Sequence, residues 1–242
     1  MYFELLAEKN ILALQLNPYP GRGIIVGLDE TGRHLVQVYW IMGRSENSRN
    51  RVFAYGPEGI LRTAAADPQK VKDPSLIIYE AMIEKDLRFA VSNGAQTEDA
   101  LAEGGLGKSL AHWQYEPDQP NYTPRITALF SLDGRANPYT AEISILKKSL
   151  FSEACDRYLY ALEVSRPGLG YCVTTYAGDG NPLPSFVGDP YLLPLIGDIG
   201  TLAQTIWDAL NEANRVSLAV KFIDIKTKQK LVKIINQYEV VG

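Results

Sequence analysis

The sequence predicts an α+β layered sandwich built on a large system of antiparallel strands. Short apolar segments of strand type outnumber the helical segments, and turns rich in proline and glycine separate them. The few helical segments stand apart from the strands, whereas in an α/β protein helices and strands would alternate along the chain. These two observations together favour antiparallel sheets with separate helices.

The N-terminal part of the chain predicts a short helix followed by a hairpin. Leu5, Leu6, Ile11 and Leu12 lie near helical spacing, and residues 17–21, which contain two prolines and a glycine, end the helix. Two apolar runs then flank the sequence Asp-Glu-Thr-Gly, as is typical of an antiparallel hairpin. The predicted strands of the hairpin are residues 24–28 and 35–40.

The remaining elements are strands around one interrupted helix, followed by a helix and two closing strands. The interrupted helix is predicted over residues 96–113, where apolar residues keep helical spacing although three glycines weaken the middle. Leu202, Ile206, Ala209 and Leu210 form the apolar face of the later helix. The predicted strands are residues 52–55, 76–79, 87–91, 126–132, 141–146, 158–164, 171–176, 216–225 and 231–241.

Length and composition limit the classes of function. The 242 residues, of which 46% are hydrophobic, can bury one sizeable core, and no linker divides them, so we expect a single domain over residues 1–242. The net charge of -4 argues against a nucleic-acid partner, which normally needs a basic face. A local basic pocket for one small anion stays open.

The cysteines and the apolar segments favour a reduced, cytoplasmic setting. Cys155 and Cys172 show no CxxC spacing, which predicts neither a zinc cluster nor a disulfide framework. The N-terminal segment carries acidic residues early and lacks the apolar region of a signal peptide. No stretch approaches the roughly 20 apolar residues of a membrane helix, so no membrane partner is expected.

Residues 43–51 have the composition of an anion-binding loop. This segment follows a predicted strand and contains three arginines, two asparagines and two serines, among them Arg44, Ser45, Asn50 and Arg51. Guanidinium groups bind phosphate through paired hydrogen bonds, and hydroxyl or amide groups can bind the remaining oxygens. A solvated hairpin loop is the alternative interpretation, and composition alone does not decide between the two.

Several other motifs are excluded by their context. Residues 104–109 end in Gly-Lys-Ser but lack the first glycine of a phosphate-binding P-loop and do not follow a strand. His34 and His112 have no partner at metal-ligand spacing, and no GxSxG motif is present. Residues 179–181 lack the further ligands of a calcium loop. We therefore expect no metal and assign acid–base chemistry to Glu, Asp, Tyr, Lys or bound water.

An ordered set of motifs resembles the archaeal-type IMP cyclohydrolase family. The resemblance covers roughly the first 60% of the chain, and it is specific as a set although each piece is weak alone. The motifs are a Tyr-x-Gly-Arg-like start of the first strand within residues 17–27, Gly43-Arg44-Ser45 with Asn50-Arg51, Asp73-Pro74 with Tyr79, residues 91–94 with Thr97 and Asp99, Tyr115-Glu116-x-Asp118 with Asn121-x-Thr123-Pro124-Arg125-Ile126, and a fainter match at residues 173–176.

The resemblance implies a four-layer αββα fold of the kind found in N-terminal-nucleophile hydrolases, with antiparallel sheets. It also implies that the usual nucleophile of that superfamily is not used. Tyr2 follows Met1, so no Cys, Ser or Thr stands at position 2. An amidohydrolase with an N-terminal nucleophile is therefore disfavoured unless a propeptide is removed.

The implied reaction closes the ring of 5-formamidoimidazole-4-carboxamide ribotide to give IMP, with loss of water, in purine biosynthesis. It belongs to the hydrolases acting on C–N bonds of cyclic amidines. The carboxamide nitrogen attacks the formyl carbon within one molecule, and holding the two groups close and coplanar is worth up to about 7–11 kcal/mol in ideal cases. The resemblance implies no metal or organic cofactor.

The motifs also imply roles for single residues. Arg44 and Arg51, with Ser45 and Asn50, would bind the 5′-phosphate. Tyr79 and Glu116 would handle protons, and Arg125 would orient Glu116 or polarise the formyl oxygen. Asn93 and Thr123 would bind the carboxamide or the ribose, and Gly94 would let the backbone approach closely. The sets are Tyr79, Glu116 and Arg125 for catalysis, and Arg44, Ser45, Asn50, Arg51, Asn93, Gly94 and Thr123 for substrate binding.

Two departures from the family pattern keep other functions open. The arginine loop is longer than in the family, and the region after Asp179 does not match clearly. The alternatives are a non-catalytic protein that binds purine ribotides and an amidohydrolase acting on a related purine-like amide. An exposed apolar strand edge would also allow the chain to associate into a homo-oligomer.

Overall fold

The computed structural model describes residues 2–71, 74, 77–132 and 139–240. Within these ranges the helices are α1 (Tyr2–Leu16), α2 (Glu46–Arg49), α3 (Gly105–Ser109) and α4 (Ile199–Ala209), with 3₁₀ turns at Pro68–Lys70, Ala95–Thr97 and Asp99–Leu101. The strands are β1 (Gly23–Leu28), β2 (His34–Met42), β3 (Val52–Tyr55), β4 (Leu61–Ala64), β5 (Glu80–Lys85), β6 (Arg88–Ser92), β7 (Arg125–Ser131), β8 (Thr140–Lys148), β9 (Cys155–Glu163), β10 (Leu169–Thr174), β11 (Tyr191–Pro194), β12 (Arg215–Asp224) and β13 (Lys230–Asn236).

The strands form two antiparallel sheets. The six-stranded sheet has the order β11-β10-β1-β2-β12-β13, and the seven-stranded sheet runs in chain order from β3 to β9. In the first sheet β1 lies between β2 and β10, so the residues that enter β1 are held from both sides. The second sheet is a meander in which each strand pairs with the next one along the chain.

Three hydrophobic clusters hold the layers together. The largest lies between the sheets and includes Tyr39 from one sheet and Phe89 and Phe130 from the other. A second cluster joins the outer face of the six-stranded sheet, through Trp40, to α1 and α4. A smaller third cluster packs α3 and the 3₁₀ turns against the outer face of the seven-stranded sheet, where Leu129 is buried. Both sheets therefore bury side chains on their two faces.

The structure confirms the α+β class and the antiparallel sheets. The predicted hairpin is β1 and β2, and the interrupted helix is a series of short turns followed by α3, because Gly104 and Gly105 adopt positive φ angles of 101° and 76°. No helix among the described residues is both long and apolar enough to cross a membrane. The likeness to N-terminal-nucleophile hydrolases stays a prediction.

Helix α1 was predicted correctly, and the four apolar residues on which the prediction rests divide between half-buried and exposed positions. Ala7 and Leu14 are buried and Ile11 is half-buried, because these positions face β11 and α4. Leu5 and Leu12 are more than half exposed. Spacing alone could not decide between neighbouring faces in a helix that is apolar on several sides.

The strand predicted at residues 76–79 is wrong over its described part. Ile77 and Ile78 donate their backbone N–H groups to the carbonyl of Pro74, which makes a turn, and β5 begins only at Glu80. Strands β4, β5 and β11 were not predicted. Leu76 and the motif residue Asp73 lie outside the described residues.

A buried ion pair joins the two sheets beside Phe89 of the largest cluster. The Nζ of Lys221 on β12 is fully buried and donates to Oε2 of Glu84 on β5 at 2.6 Å. Lys230 on β13 also pairs with Glu84. Burial lowers the pKa of Lys221, although the Glu84 carboxylate opposes this effect. The ammonium group therefore depends on Glu84 to remain charged inside the protein.

Replacing Glu84 by Gln should destabilise the protein by about 3 kcal/mol, because removing one partner leaves a buried charge without compensation. Urea unfolding at neutral pH measures this change. Glu58, which pairs with Arg62 at the surface, provides the control: Glu58→Gln should change the free energy of unfolding by less than about 0.5 kcal/mol. Equal losses of unfolding free energy in the two variants would contradict the conclusion that Glu84 compensates the buried charge of Lys221.

Candidate functional site

A cavity of about 300 Å³ opens where five segments meet. These segments are the entry to β1, the loop from β2 to β3, the turn before β5, the segment before β7 and the segment after β10. Its lining contains Tyr19, Gly21, Arg22, Met42, Arg44, Ser45, Asn47, Ser48, Arg51, Ile77, Glu116, Asp118, Asn121, Thr123, Tyr176 and Leu183. Guanidinium, carboxylate and hydroxyl groups dominate, with a few apolar side chains beside them.

An ion pair between Arg22 and Glu116 forms one part of the lining. The Nη1 and Nη2 atoms of Arg22 donate to the two carboxylate oxygens of Glu116 at 2.9 and 2.8 Å. Arg22 is 9% exposed and Glu116 2% exposed. Burial lowers the pKa of Arg22, but the Glu116 carboxylate more than offsets this and raises it well above its ordinary value. Arg22 is therefore a permanent cation fixed against Glu116.

Backbone geometry brings Arg22 to this position. Gly21 has a φ of 73°, and a Cβ atom there would lie 2.3 Å from Oγ1 of Thr175 and 2.5 Å from the Tyr176 ring. Only glycine fits this close passage between strands. The N–H of Arg22 then donates to Oγ1 of Thr175 at 3.0 Å, and its Nη1 also donates to the carbonyl of Asn93 at 3.1 Å.

Arg125 lies behind Glu116 at the start of β7. Its Nη1 is 3.9 Å from Oε1 of Glu116 and donates to Oε1 of Gln96 at 3.0 Å. The guanidinium group stacks 4.9 Å from the centre of the Trp113 ring. Burial lowers the pKa of Arg125, and the nearby Arg22 acts in the same direction, while Glu116 opposes it. Two buried cations thus share one carboxylate.

The segment before β7 is closed by hydrogen bonds around Thr123. The N–H of Glu116 donates to the carbonyl of Thr123 at 2.8 Å, and the N–H of Thr123 donates to Asp118 at 2.6 Å. The Thr123 hydroxyl also contacts the Asp118 carboxylate and the Tyr176 hydroxyl. The Thr123 hydroxyl has a single hydrogen, which it donates to Asp118, so Tyr176 donates to Thr123. Burial raises the pKa of Tyr176, which keeps it a donor.

Arg44 is already partnered by charged and aromatic groups. Its guanidinium group forms an ion pair with Asp179, donates to the carbonyl of Gly180 at 3.2 Å, and lies 4.9 Å from the centre of the Tyr19 ring. The Tyr19 ring stacks in turn on Tyr176. Both members of the ion pair are more than one third exposed, so the pair is open to competition by solvent ions.

Arg51 has a different environment from Arg44. It is 3% exposed, and its Nε and Nη2 atoms donate to the carbonyls of Ser48 and Met42 at 2.8 and 3.1 Å. No carboxylate lies within ion-pair distance of it among the described residues. The Ser45 and Ser48 hydroxyls, which hydrogen-bond to each other at 2.9 Å, line the same cavity. Arg51 is thus a buried cation held by neutral groups only.

Half of the residues predicted from the motifs line the cavity, and the other half do not. The lining residues are Arg44, Ser45, Arg51, Glu116 and Thr123. The others, Tyr79, Asn50, Asn93, Gly94 and Arg125, lie outside the lining. The individual roles of all ten stay predictions.

Hydrogen bonds account for the positions of the polar residues outside the lining. Asn50 exchanges two hydrogen bonds with the backbone of Asp67 at 2.8 and 2.7 Å. Asn93 donates to the carbonyl of Pro124 at 2.9 Å and accepts from the N–H of Ile126 at 2.8 Å. The hydroxyl of Tyr79 lies 2.6 Å from that of Tyr39.

Gly94 has a steric reason to lack a side chain. A Cβ atom at this position would lie 2.3 Å from Nη1 of Arg125 and 2.7 Å from Oε1 of Gln96. The absence of a side chain at Gly94 therefore leaves the space in which the Arg125 and Gln96 side chains meet. Its backbone does not require glycine, because a φ of -174° is an extended conformation that any residue adopts.

Sequence reasoning missed seven polar or aromatic residues of the cavity as site residues: Tyr19, Arg22, Asn47, Ser48, Asp118, Asn121 and Tyr176. Tyr19 and Arg22 belong to the Tyr-x-Gly-Arg-like motif, which was interpreted only as the start of a strand. Asp118 lies in the motif around Glu116, and Tyr176 ends the fainter match at residues 173–176. A charged residue directly beside a glycine at a strand start was the available signal for Arg22.

The segment that ends in Gly-Lys-Ser does not follow a strand, as a P-loop would. Residues 104–109 follow a 3₁₀ turn and form α3, whose N–H at Leu106 donates to Glu142 at 2.8 Å. Among the described residues no group of three or more His, Cys, Asp or Glu side chains could hold a metal ion.

Comparison with known proteins agrees with the motifs. Comparison with curated proteins gives no match. The family model described as IMP cyclohydrolase-like protein matches residues 19–229, which include every residue of the cavity lining. With most of its length covered, the chain belongs to the IMP cyclohydrolase-like protein family.

Proposed function

We propose that the protein is an IMP cyclohydrolase, which closes the ring of 5-formamidoimidazole-4-carboxamide ribotide to give IMP and water. One observation carries the proposal: a single cavity of about 300 Å³ contains both the Arg22–Glu116 pair and the unpaired Arg51. A ribotide has a phosphate at one end and a reacting heterocycle at the other, so it needs an anion site and a proton-handling site together. The cavity volume lies at the lower end of the usual range for small-molecule sites.

The phosphate is proposed to bind at Arg51. Its guanidinium group is oriented by two carbonyls, and no carboxylate of the described residues neutralises it, so an incoming dianion meets an uncompensated charge. Ser45 and Ser48 supply hydroxyl donors nearby. Arg44 is a second ligand that must first give up its pairing with Asp179. Binding energy from this non-reacting group would hold the base in place.

The heterocycle is proposed to react beside Glu116. Arg22 occupies one acceptor site on each carboxylate oxygen, which leaves further acceptor capacity on both. Glu116 can therefore accept a proton from the attacking carboxamide nitrogen without losing its position. Arg22 and Arg125 supply positive charge close to where the formyl oxygen becomes negative.

The proton balance of the reaction needs no external oxidant or reductant. The carboxamide nitrogen forms a bond to the formyl carbon and loses one proton, while the formyl oxygen gains one and becomes a hydroxyl group. The C–O bond then breaks, the formamide nitrogen loses its proton, and the hydroxyl group leaves as water. Glu116 is proposed to shuttle protons between nitrogen and oxygen in these steps.

The predicted residues outside the lining are proposed to act from behind it. The Tyr79 hydroxyl hydrogen-bonds to that of Tyr39 at 2.6 Å, and we propose that Tyr79 is a proton-handling group that acts with Tyr39. Asn93 holds Arg22 through its carbonyl, and Gly94 leaves room for Arg125. Asn50 is proposed to brace the arginine loop, and Thr123 to present its hydroxyl to the carboxamide or the ribose.

We also propose that the fold is the four-layer αββα arrangement of N-terminal-nucleophile hydrolases, used here as a single domain. The packing of α1 and α4 on one sheet, and of α3 on the other, supports this proposal.

Replacing Glu116 by Gln should lower turnover by about 10² to 10⁴, because it removes a general base while retaining the shape of the side chain. The measurement is the absorbance change on conversion of the formamido ribotide to IMP by EDTA-treated protein. IMP affinity, measured by calorimetry, should change little. Robust wild-type turnover after EDTA treatment would support the proposal that no metal is needed.

Other outcomes of this assay favour the alternatives. IMP binding without any wild-type turnover would favour a non-catalytic ribotide-binding protein, and equal losses of turnover and binding would leave Glu116 only a binding role. Because Glu116→Gln leaves Arg22 buried without a carboxylate, its melting temperature must be measured as well. If it fails to fold, Glu116→Asp keeps the charge and should still reduce turnover, since the carboxylate is withdrawn from the reacting nitrogen.

Replacing Arg51 by Met should raise the Kd for IMP by at least about tenfold, because hydrogen bonds to a charged group are worth about 1.5–3 kcal/mol. Inosine lacks the phosphate, so its affinity should not change. Calorimetric titration of both ligands measures the difference.

Arg49 provides the matched control for this experiment. It lies in the same loop and donates to the carbonyl of Gly43 at 2.9 Å, but it does not line the cavity. Arg49→Met should therefore leave the ratio of IMP to inosine affinity unchanged. A loss of inosine affinity equal to that of IMP in Arg51→Met would show general damage to the cavity and contradict phosphate binding at Arg51.

A further inference from the structure

The two sheets have four edge strands, and three of them are covered or linked within the chain. The side chain of Asn10 on α1 donates to the carbonyl of Leu192 on β11 at 2.9 Å. The amide of Asn236 on β13 exchanges two hydrogen bonds with the backbone of Phe53 on β3, at 2.9 and 3.0 Å, and so joins the edges of the two sheets. An exposed edge otherwise offers unpaired N–H and C=O groups to another strand.

The fourth edge, β9, has no such cover among the described residues. Apart from its pairing with β8, the backbone of residues 157–163 makes no hydrogen bond within the described part of the chain. The strand is nine residues long and contains neither proline nor lysine, the residues that commonly protect an edge. Tyr158 and Leu159 are 40% and 52% exposed.

The side chains of β9 divide between two faces. Tyr160 and Leu162 pack against the core between the sheets. Arg157 lies on the opposite face, where its Nη2 donates to the carbonyls of Ala111 and Trp113 at 2.8 Å each. Because side chains alternate along a strand, Glu163 shares the face of Arg157. Both charged side chains are exposed.

The sequence of β9 is complementary to itself when it runs antiparallel. If Tyr160 lies opposite Tyr160 of a second copy, Arg157 faces Glu163 and, by symmetry, Glu163 faces Arg157. The positions between them are apolar, with Tyr158 opposite Leu162 and Leu159 opposite Ala161. Other registers separate the two charges. With the twofold axis at Leu159, Glu163 lies opposite Cys155, and with the axis at Ala161 it lies opposite Leu159. Cross-strand pairs of opposite charge and of apolar groups stabilise antiparallel pairing.

We propose that two copies of this chain associate through β9, which joins their seven-stranded sheets into one continuous antiparallel sheet with a twofold axis at Tyr160. The interface is isologous, so each copy contributes the same surface. The twofold axis is perpendicular to the sheet, and the face that carries α3 is therefore on the same side in both copies. The proposal is independent of the activity of the cavity.

Sedimentation equilibrium of the full chain tests association directly. The mass should rise from 26.8 kDa to about twice that value as the concentration increases from micromolar to submillimolar. Leu159→Lys, which places a charge within the apolar part of the strand, should remain a monomer over this range. Leu231→Lys is the matched control, since Leu231 is 57% exposed on the other edge strand, β13, and should associate like the wild type. Circular dichroism should show that both variants are folded.

A cysteine substitution tests the register. In antiparallel strands, residues directly opposite each other have Cα atoms about 4.5–5.5 Å apart, which allows a disulfide. Tyr160→Cys should therefore form a covalent dimer under oxidised glutathione, whereas Leu159→Cys, offset by two residues from its copy, should not. A monomer at all concentrations, a dimer unaffected by Leu159→Lys, or crosslinking through Leu159→Cys in place of Tyr160→Cys would each overturn the proposal.

Discussion

The ion pair between Arg22 and Glu116 is the interaction on which the arrangement of the cavity depends. Arg22 enters with β1 of one sheet and Glu116 precedes β7 of the other, so the two hydrogen bonds span both sheets. A buried ion pair adds little net stability, because desolvation offsets most of the Coulomb attraction. Its consequence here is geometric: a carboxylate, with two arginines beside it, is fixed at the wall of a cavity. Both residues of the ion pair are held by a further hydrogen bond. Arg22 donates to the carbonyl of Asn93, and the N–H of Glu116 donates to the carbonyl of Thr123.

The charges around the cavity explain why one arginine is better suited to phosphate than the others. Arg22 is neutralised by Glu116, and Arg44 by Asp179. Arg51 is oriented by two carbonyl groups and pairs with no carboxylate in the described part of the chain. A neutralised arginine gains less from an added anion than one without a counter-charge, since the anion must replace an existing partner. In the proposed function Arg22 therefore fixes the Glu116 carboxylate, and Arg51 receives the phosphate.

Most of the fold could be predicted from the sequence, because the periodicity of hydrophobic residues and the residues that form turns are both local features. The hairpin of β1 and β2, the strands β6 to β10 and helix α4 all follow such signals. Spacing did not show which face of α1 is buried, because that face depends on contacts with β11, which is distant in sequence. The motifs pointed to Glu116 and to the arginine loop of residues 43–51, both of which contribute to the cavity lining. They did not identify Arg22 as the ion-pair partner of Glu116. Pairing between Arg22 and Glu116, 94 residues apart, leaves no local pattern.

A crystal structure with IMP bound tests the central claim most directly, because it shows the orientation of both ends of the ligand in one measurement. The account predicts that the phosphate contacts the Arg51 guanidinium and that the pyrimidine part of the base lies against Glu116, with the Arg22–Glu116 pair intact. Density for IMP in the reverse orientation, or outside this cavity, would contradict the account even if the protein were found to be an active cyclohydrolase.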